Sequence, residues 1–357
     1  MTPPAEADLR QTRPQPRGLA RRLTLILVGL ALLLAASCLV AIGLGDVHIA
    51  PLEVLRTLLA RLQGASRSND QVIYDIRLPR ILLGAIVGAA LSLGGAALQG
   101  LLLNPLADPY LIGVSAGAAF GATLSIRLKV AGLLAGAGKS LAGFIAALIT
   151  LLIVYRLALR RGRIGRESFV LAGVVVGSFM WSLVTIIIAT SPDTQLSGVI
   201  SWLMGDLNLA SSWLQVWLTG GLVAGAGLVL CTFGRDLNLL SLGEEPAKQL
   251  GVEVERLKKI IIVLAALLTA ASVAVSGVIG FVGLIIPHIA RRIWGPDHRI
   301  LLPASALLGA TFLVWADTLA HTIVASVALP VGIITSLLGA PFFCYLLVAQ
   351  SRRSDEV

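Results

Sequence analysis

Acidic side chains are nearly missing from the long apolar stretches of this sequence. Of 19 Asp and Glu residues, only Asp317 falls inside such a stretch, close to its end. Carriers driven by protons or sodium place carboxylates deep in the bundle. The shortage therefore argues against an ion-coupled secondary transporter of a small solute, the main competing reading. Cysteine is equally sparse: Cys38, Cys231 and Cys344 sit in separate apolar runs, which leaves no disulfide framework and no metal-ligand spacing. His288, after Pro287, has no second His or Cys near it, so a structural role is favoured and no metal site is assigned. A membrane-embedded enzyme would need a catalytic constellation. The sequence offers no HExxH pattern, no paired carboxylates and no nucleophile with a base, so no catalytic residue is assigned.

What is present is apolar length. Hydrophobic residues make up 57% and charged residues 13%, with a mean hydropathy of +0.90. Globular domains carry about 45–50% and about 25%. The apolar runs have the roughly 20-residue length of membrane helices, not the ~10-residue alternation of an outer-membrane barrel. The expected fold is an all-α polytopic membrane protein with about ten transmembrane helices, near 23–44, 80–102, 109–128, 140–158, 168–190, 213–233, 259–279, 281–293, 301–320 and 330–349. The eighth is short, and the glycine-rich Gly277–Gly283 segment before it leaves its boundary open. Residues 1–20 read as a disordered cytoplasmic tail, 21–350 as the membrane domain and 351–357 as a second cytoplasmic tail.

The net charge of +9 follows topology. With both termini placed in the cytoplasm, 20 of the 28 Lys and Arg residues fall on that side and 8 on the other. The positive-inside rule favours this orientation, and no nucleic-acid partner is called for. The run "GLLAGAGKS" (132–140) resembles a phosphate-binding loop, but Leu133 occupies the required glycine position and no strand precedes it. It also falls on the outer side, so it reads as a glycine-rich turn. Small residues at four-residue spacing, such as Gly84 and Gly88 or Gly221 and Gly225, read mainly as sites of close helix approach.

The longest polar stretch between spans is 235–258. Its short helix-like core, Pro246–Leu250, is preceded by Glu244 and Glu245 and bracketed by Gly243 and Gly251. Two acidic residues there fit a protein partner better than an anionic membrane surface.

At this stretch the sequence resembles the iron-chelate and vitamin B12 uptake permeases, the membrane subunits of type II ATP-binding-cassette (ABC) importers. Ordered motifs carry the resemblance from about residue 72 to 350: Arg77-Leu-Pro-Arg80, "NPLADPYLIGVSAGA" (104–118), "SWLMGDL" (201–207), "LSLGEEPAKQLGV" (240–252), "SGVIGFVGLIIPHIAR" (276–291) and "LPVGIITSLLGAPFF" (329–343). It implies a homodimer with a central pathway in the bacterial inner membrane. The implied partners are a second copy of the chain, two ATPase subunits, a periplasmic or lipid-anchored substrate-binding protein, and membrane lipid. No cofactor belongs to this chain; ATP and magnesium sit on the partner ATPase. The cargo implied is a metal chelate, ferric siderophore first, with haem and cobalamin behind it.

Carried over residue by residue, the resemblance assigns ATPase coupling to Leu242, Gly243, Glu244, Glu245, Pro246, Ala247, Gln249, Leu250 and Gly251. It assigns binding-protein docking to Arg77 and Arg80, with His321 standing where an Arg is more usual; interfacial anchoring is the alternative for the two arginines. It assigns a cytoplasmic gate to Asn104, Pro105, Leu106 and Val170, where Asn104 and Pro105 also fit an ordinary helix stop.

Overall fold

The computed structural model describes residues 16–45, 47–64, 69–130, 137–207, 212–323 and 329–354. In chain order its helices begin with α1 (Pro16–Gly43), α2 (Pro51–Leu62), α3 (Leu78–Leu102), α4 (Val114–Arg127) and α5 (Gly138–Ala158). A hairpin of β1 (Leu159–Arg160) and β2 (Arg163–Ile164) leads to α6 (Arg166–Thr190), α7 (Asp193–Leu203) and α8 (Trp213–Thr232). Then come the short α9 (Gly234–Leu240) and α10 (Glu244–Gln249), followed by α11 (Val254–Ser276), α12 (Val282–Trp294), α13 (His298–Thr322) and α14 (Val331–Ser354).

Among the described residues seven helices are long and apolar enough to cross a membrane: α1, α3 with its preceding π-helical turn, α5, α6, α8, α11 and α13. The other three expected spans are also helices. Two are short, α4 with 14 residues and α12 with 13, and α14 contributes a shorter apolar stretch, Val331–Leu346. The expected span at 109–128 is corrected at its start. Pro109–Ile112 is a separate 3-10 turn, and α4 begins only after Gly113, whose φ of +77° disfavours side chains with a Cβ. The span expected at 259 begins at Val254, which brings Glu255 and Lys258 into the helix. Only part of each expected tail is described: α1 already begins at Pro16, and α14 runs to Ser354. Most of "GLLAGAGKS" lies outside the described residues, and its Gly138-Lys139-Ser140 end opens α5.

Burial separates a centre from a rim. The apolar window of α3 is 83% buried and that of α11 72%, against 33% for α5 and α6 and 39% for α8. The reason is in the side chains. A Cβ on Gly88 would run into the backbone of Gly309 on α13, and one on Gly95 into the backbone of Gly283 on α12. Such positions let backbones meet where lipid supplies no hydrophobic drive between helices. On α8, by contrast, Gly221 and Gly225 have nothing within 4 Å of a built Cβ, so these two are not packing sites within the protomer.

Two clusters of contacts define the ends of the bundle. At the basic end Arg22 donates to the Trp294 carbonyl (3.2 Å), and Asn238 joins α9 to Asp297 (2.7 Å) ahead of α13. At the opposite end the Trp213 indole donates to the Tyr74 carbonyl (3.2 Å), and the Asp206 amide to the Ser276 carbonyl (2.8 Å). Helices α2 and α7 lie towards this second end. Neither was among the expected spans, because 11 or 12 residues cannot cross a bilayer.

Candidate functional site

The basic end carries the coupling residues assigned from sequence. Gly243 (φ +114°) and Gly251 (φ +88°) bracket α10, so the helix is continuous with neither neighbour. Ala247 is fully buried and anchors it, while Leu242, Glu245, Pro246, Gln249 and Leu250 are exposed. The two acids, grouped together on sequence grounds, point different ways. Glu245 faces out and takes a hydrogen bond from Lys248 (2.6 Å), which holds its carboxyl below the usual range. Glu244 faces in, with Oε2 2.9 Å from Lys258 Nζ and Oε1 3.2 Å from Arg166. Neither Lys258 nor Arg166 stood out in the sequence; both counted only as inside charges.

At the opposite end the three residues assigned to docking from the sequence separate. Arg77 donates to the carbonyls of Ile42 and Val47 (both 2.7 Å) and so fastens the chain between α1 and α2. Arg80 grips Asp317 with two parallel bonds, Nε to Oδ2 at 2.9 Å and an η nitrogen to Oδ1 at 2.8 Å. His321 Nδ1 meets the same guanidinium. Arg80 and His321 are therefore brought together, around the acidic residue that stood alone in its expected span, while Arg77 serves a different contact. The Arg80 and Asp317 side chains are only 14% and 7% exposed.

The residues assigned to a gate from the sequence lie where α3 and α6 reach the basic end. Leu103 takes a left-handed conformation (φ +50°), and the Asn104 side chain then accepts the Leu106 amide at 2.9 Å, a local turn closed by its own side chain. Val170 is half-buried one turn into α6. One turn further on, Gly173 lies so tightly against Leu111 and Ile112 that a Cβ would collide with their backbone, which ties α6 to the turn after Asn104.

Between α11 and α12 the backbone is unwound from Gly277 to Phe281. Such a break needs substitute hydrogen bonds inside a membrane. Tyr110 supplies them: its hydroxyl donates to the Ile279 carbonyl (2.6 Å) and accepts the Ile279 amide (2.8 Å). Beside the break lies an open, apolar cavity of about 660 Å³, lined by Met204, Val278, Gly280, Gly332, Ser336 and Leu337 among others. His288 packs edge-on against Phe342. Among the described residues no three His, Cys, Asp or Glu side chains are gathered as metal ligands would be.

A helical bundle with central glycine-packed spans, a broken helix beside a wide apolar cavity and a projecting helical peg at its basic end is the architecture of a membrane permease. The chain belongs to the FecCD transport family, whose match covers residues 32–349. The family is one of ABC-importer permeases, not enzymes. Among its relatives is an uncharacterised ABC transporter permease protein, YvrB, of Bacillus subtilis, 44% identical over 89% of this chain and 92% of that protein. The cobalamin import system permease protein BtuC of Halobacterium salinarum is 43% identical over 80% of this chain and 75% of its own. The hemin transport system permease protein HmuU of Yersinia pestis is 39% identical over 95% and 97%. A solved structure described as an inward-facing conformation of an ABC transporter assigned to the metal-chelate type superposes with a TM-score of 0.78. It shares 34% identity and covers 91% of this chain and 99% of that one.

Proposed function

We propose that this chain is the membrane pathway of an importer that moves a metal chelate from an external binding protein into the cytoplasm, driven by a separate ATPase. The observation that carries the reading is α10: a six-residue helix, free of its neighbours at both ends and exposed along one face, at the basic end. A short rigid helix transmits a partner's displacement, whereas a loop would absorb it. The basic end is then the cytoplasmic one, as the charge count expects, and both termini lie on that side.

Relatives named for cobalamin and hemin import support a bulky, metal-containing cargo. Ferric siderophore remains the first candidate for this chain, with haem and cobalamin next. The lining of the α14 cavity offers few polar atoms, consistent with a path that passes a large ligand without holding it. A second copy of the chain completes the pathway around this face. Leu106 and Val170 close it below, excluding water with apolar side chains, while Asn104 and Pro105 shape the turn. The binding protein docks at the end carrying Arg77, Arg80 and His321. Since Asp317 already shares the Arg80 charge, an acid offered there gains less than it would from an unshared guanidinium.

Reconstitution tests the reading. The chain is incorporated into liposomes with its ATPase and binding protein, and uptake of ferric siderophore, haem and cobalamin is measured. Uptake that needs ATP and ignores proton and sodium gradients is expected. Uptake driven by an ion gradient without the ATPase would overturn the proposal in favour of a secondary carrier.

A further inference from the structure

We propose that Lys258 is a positioning residue, the joint through which a displacement of α10 reaches the β1–β2 hairpin and the first turn of α6. The Lys258 side chain is 5% exposed, and its ammonium has three acceptors on three elements. They are Glu244 Oε2 of α10 at 2.9 Å, Glu255 Oε1 of α11 at 3.0 Å and the Ile164 carbonyl of β2 at 3.1 Å. An ammonium has three protons to donate, so the group is saturated. Glu255 Oε2 takes the Ile164 amide at 3.0 Å, so α11 holds both backbone groups of that residue. Glu244 Oε1 reaches Arg166, the first residue of α6, at 3.2 Å. Two cations and two carboxylates thus close a neutral cluster around one residue of the hairpin.

The surroundings make this a joint rather than a simple clamp. α10 stands between two glycines with positive φ, and Glu244 is its charged tie to the body. The hairpin is short, with Leu159 paired to Ile164 and Arg160 to Arg163, and it is the link from α5 to α6. Four residues beyond Arg166 stands Val170. A push on α10 moves Glu244, and the three bonds on the buried Lys258 ammonium together with the Glu244–Arg166 pair carry Lys258, Arg166 and Ile164 with it. Softer contacts would let α10 slip.

The proposal rests on α10 being the ATPase seat, and the experiment separates the two claims. The full importer, with permease cysteines replaced, is reconstituted in lipid. A cysteine at Gln249 reports the seat by crosslinking to the ATPase; if the otherwise unaltered permease gives no crosslink, the seat reading fails. Spin labels at Arg161 and Arg292 report hairpin movement when ATP is added. Lys258→Met is expected to keep the crosslink, lose the ATP-dependent distance change, and lower uptake per ATP hydrolysed by roughly tenfold. Lys258→Arg is expected to recover most of both. A folded Lys258→Met complex with the parent's distance change and uptake ratio would overturn the joint. Should that variant fail to assemble, Glu244→Gln, which removes the charge and keeps the shape, is read against the same two outcomes.

Discussion

Towards each end of the bundle a largely buried cation is paired, Arg80 with one carboxylate and Lys258 with two, and the two arrangements do different work. Arg80 meets Asp317 in a planar, two-bonded grip between α3 and α13, helices already in intimate contact through Gly88 and Gly309. Lys258 spreads three single bonds over α10, α11 and the hairpin, two of them short elements next to glycine turns. A guanidinium fork fixes orientation, whereas an ammonium is a point charge whose bonds can pivot. The same charge pairing is a lock where spans meet and a pivot where loops meet.

The largest effect expected from breaking this contrast is at the lock. Arg80→Met strands a buried carboxylate and should destabilise the protein by about 3–5 kcal/mol, with Arg80→Met/Asp317→Leu recovering most of the loss. Thermal unfolding in detergent measures both, and equal instability of single and double variants would refute the lock. Arg80→Lys should also lose stability, because one ammonium cannot reproduce the two-bonded grip. Lys258→Arg should be tolerated better, and the difference in unfolding temperature between the two swaps measures how far lock and pivot differ.

A third pair at the basic end sharpens the comparison through pH. The side-chain bond from Arg299, assisted by one from Asn238, holds the Asp297 carboxyl down at about 2. An unperturbed Asp titrates at about 3.9. Because the folded value is depressed, the stabilisation is complete above about pH 4 and is lost as pH falls towards 2. Asp297→Asn should lower the unfolding temperature at neutral pH, where the stabilisation is complete, and flatten the acid limb, so that the two proteins converge as pH falls towards 2.

The smallest effect on stability is expected at the surface. Glu245→Gln removes a solvent-exposed pair with Lys248, and such pairs contribute little to folding. The unfolding temperature should stay put while affinity for the ATPase falls. Glu244→Gln should do the reverse in emphasis, disturbing coupling more than docking. A binding titration of the two variants against the ATPase checks the division.

Much of this was legible in the sequence, for a local reason. Hydropathy over roughly 20 residues is enough to mark a span, so the apolar helices could be read directly. The glycine-rich 277–283 segment left its boundary open, and the unwound stretch there came only with the structure. The glycines around Glu244–Gln249 likewise announced a short isolated helix. The amphipathic helices α2 and α7 escaped because neither has a long apolar run. Tyr110 showed no role of its own in the sequence, since its partner Ile279 lies 169 residues away.

The sequence by itself determined the class of protein, because lipid dictates how long and how apolar each helix must be. It also determined where the polar working segments lie, because they interrupt that pattern. Only the tertiary structure decided which charges are partners. Arg80 finds Asp317 237 residues along the chain, and Lys258 finds Ile164 94 residues back. Glu244 and Glu245, neighbours in the chain, part company because successive residues of a helix point about 100° apart. Charge pairing depends on distances of a few ångströms in space, and those distances exist only once the helices have packed.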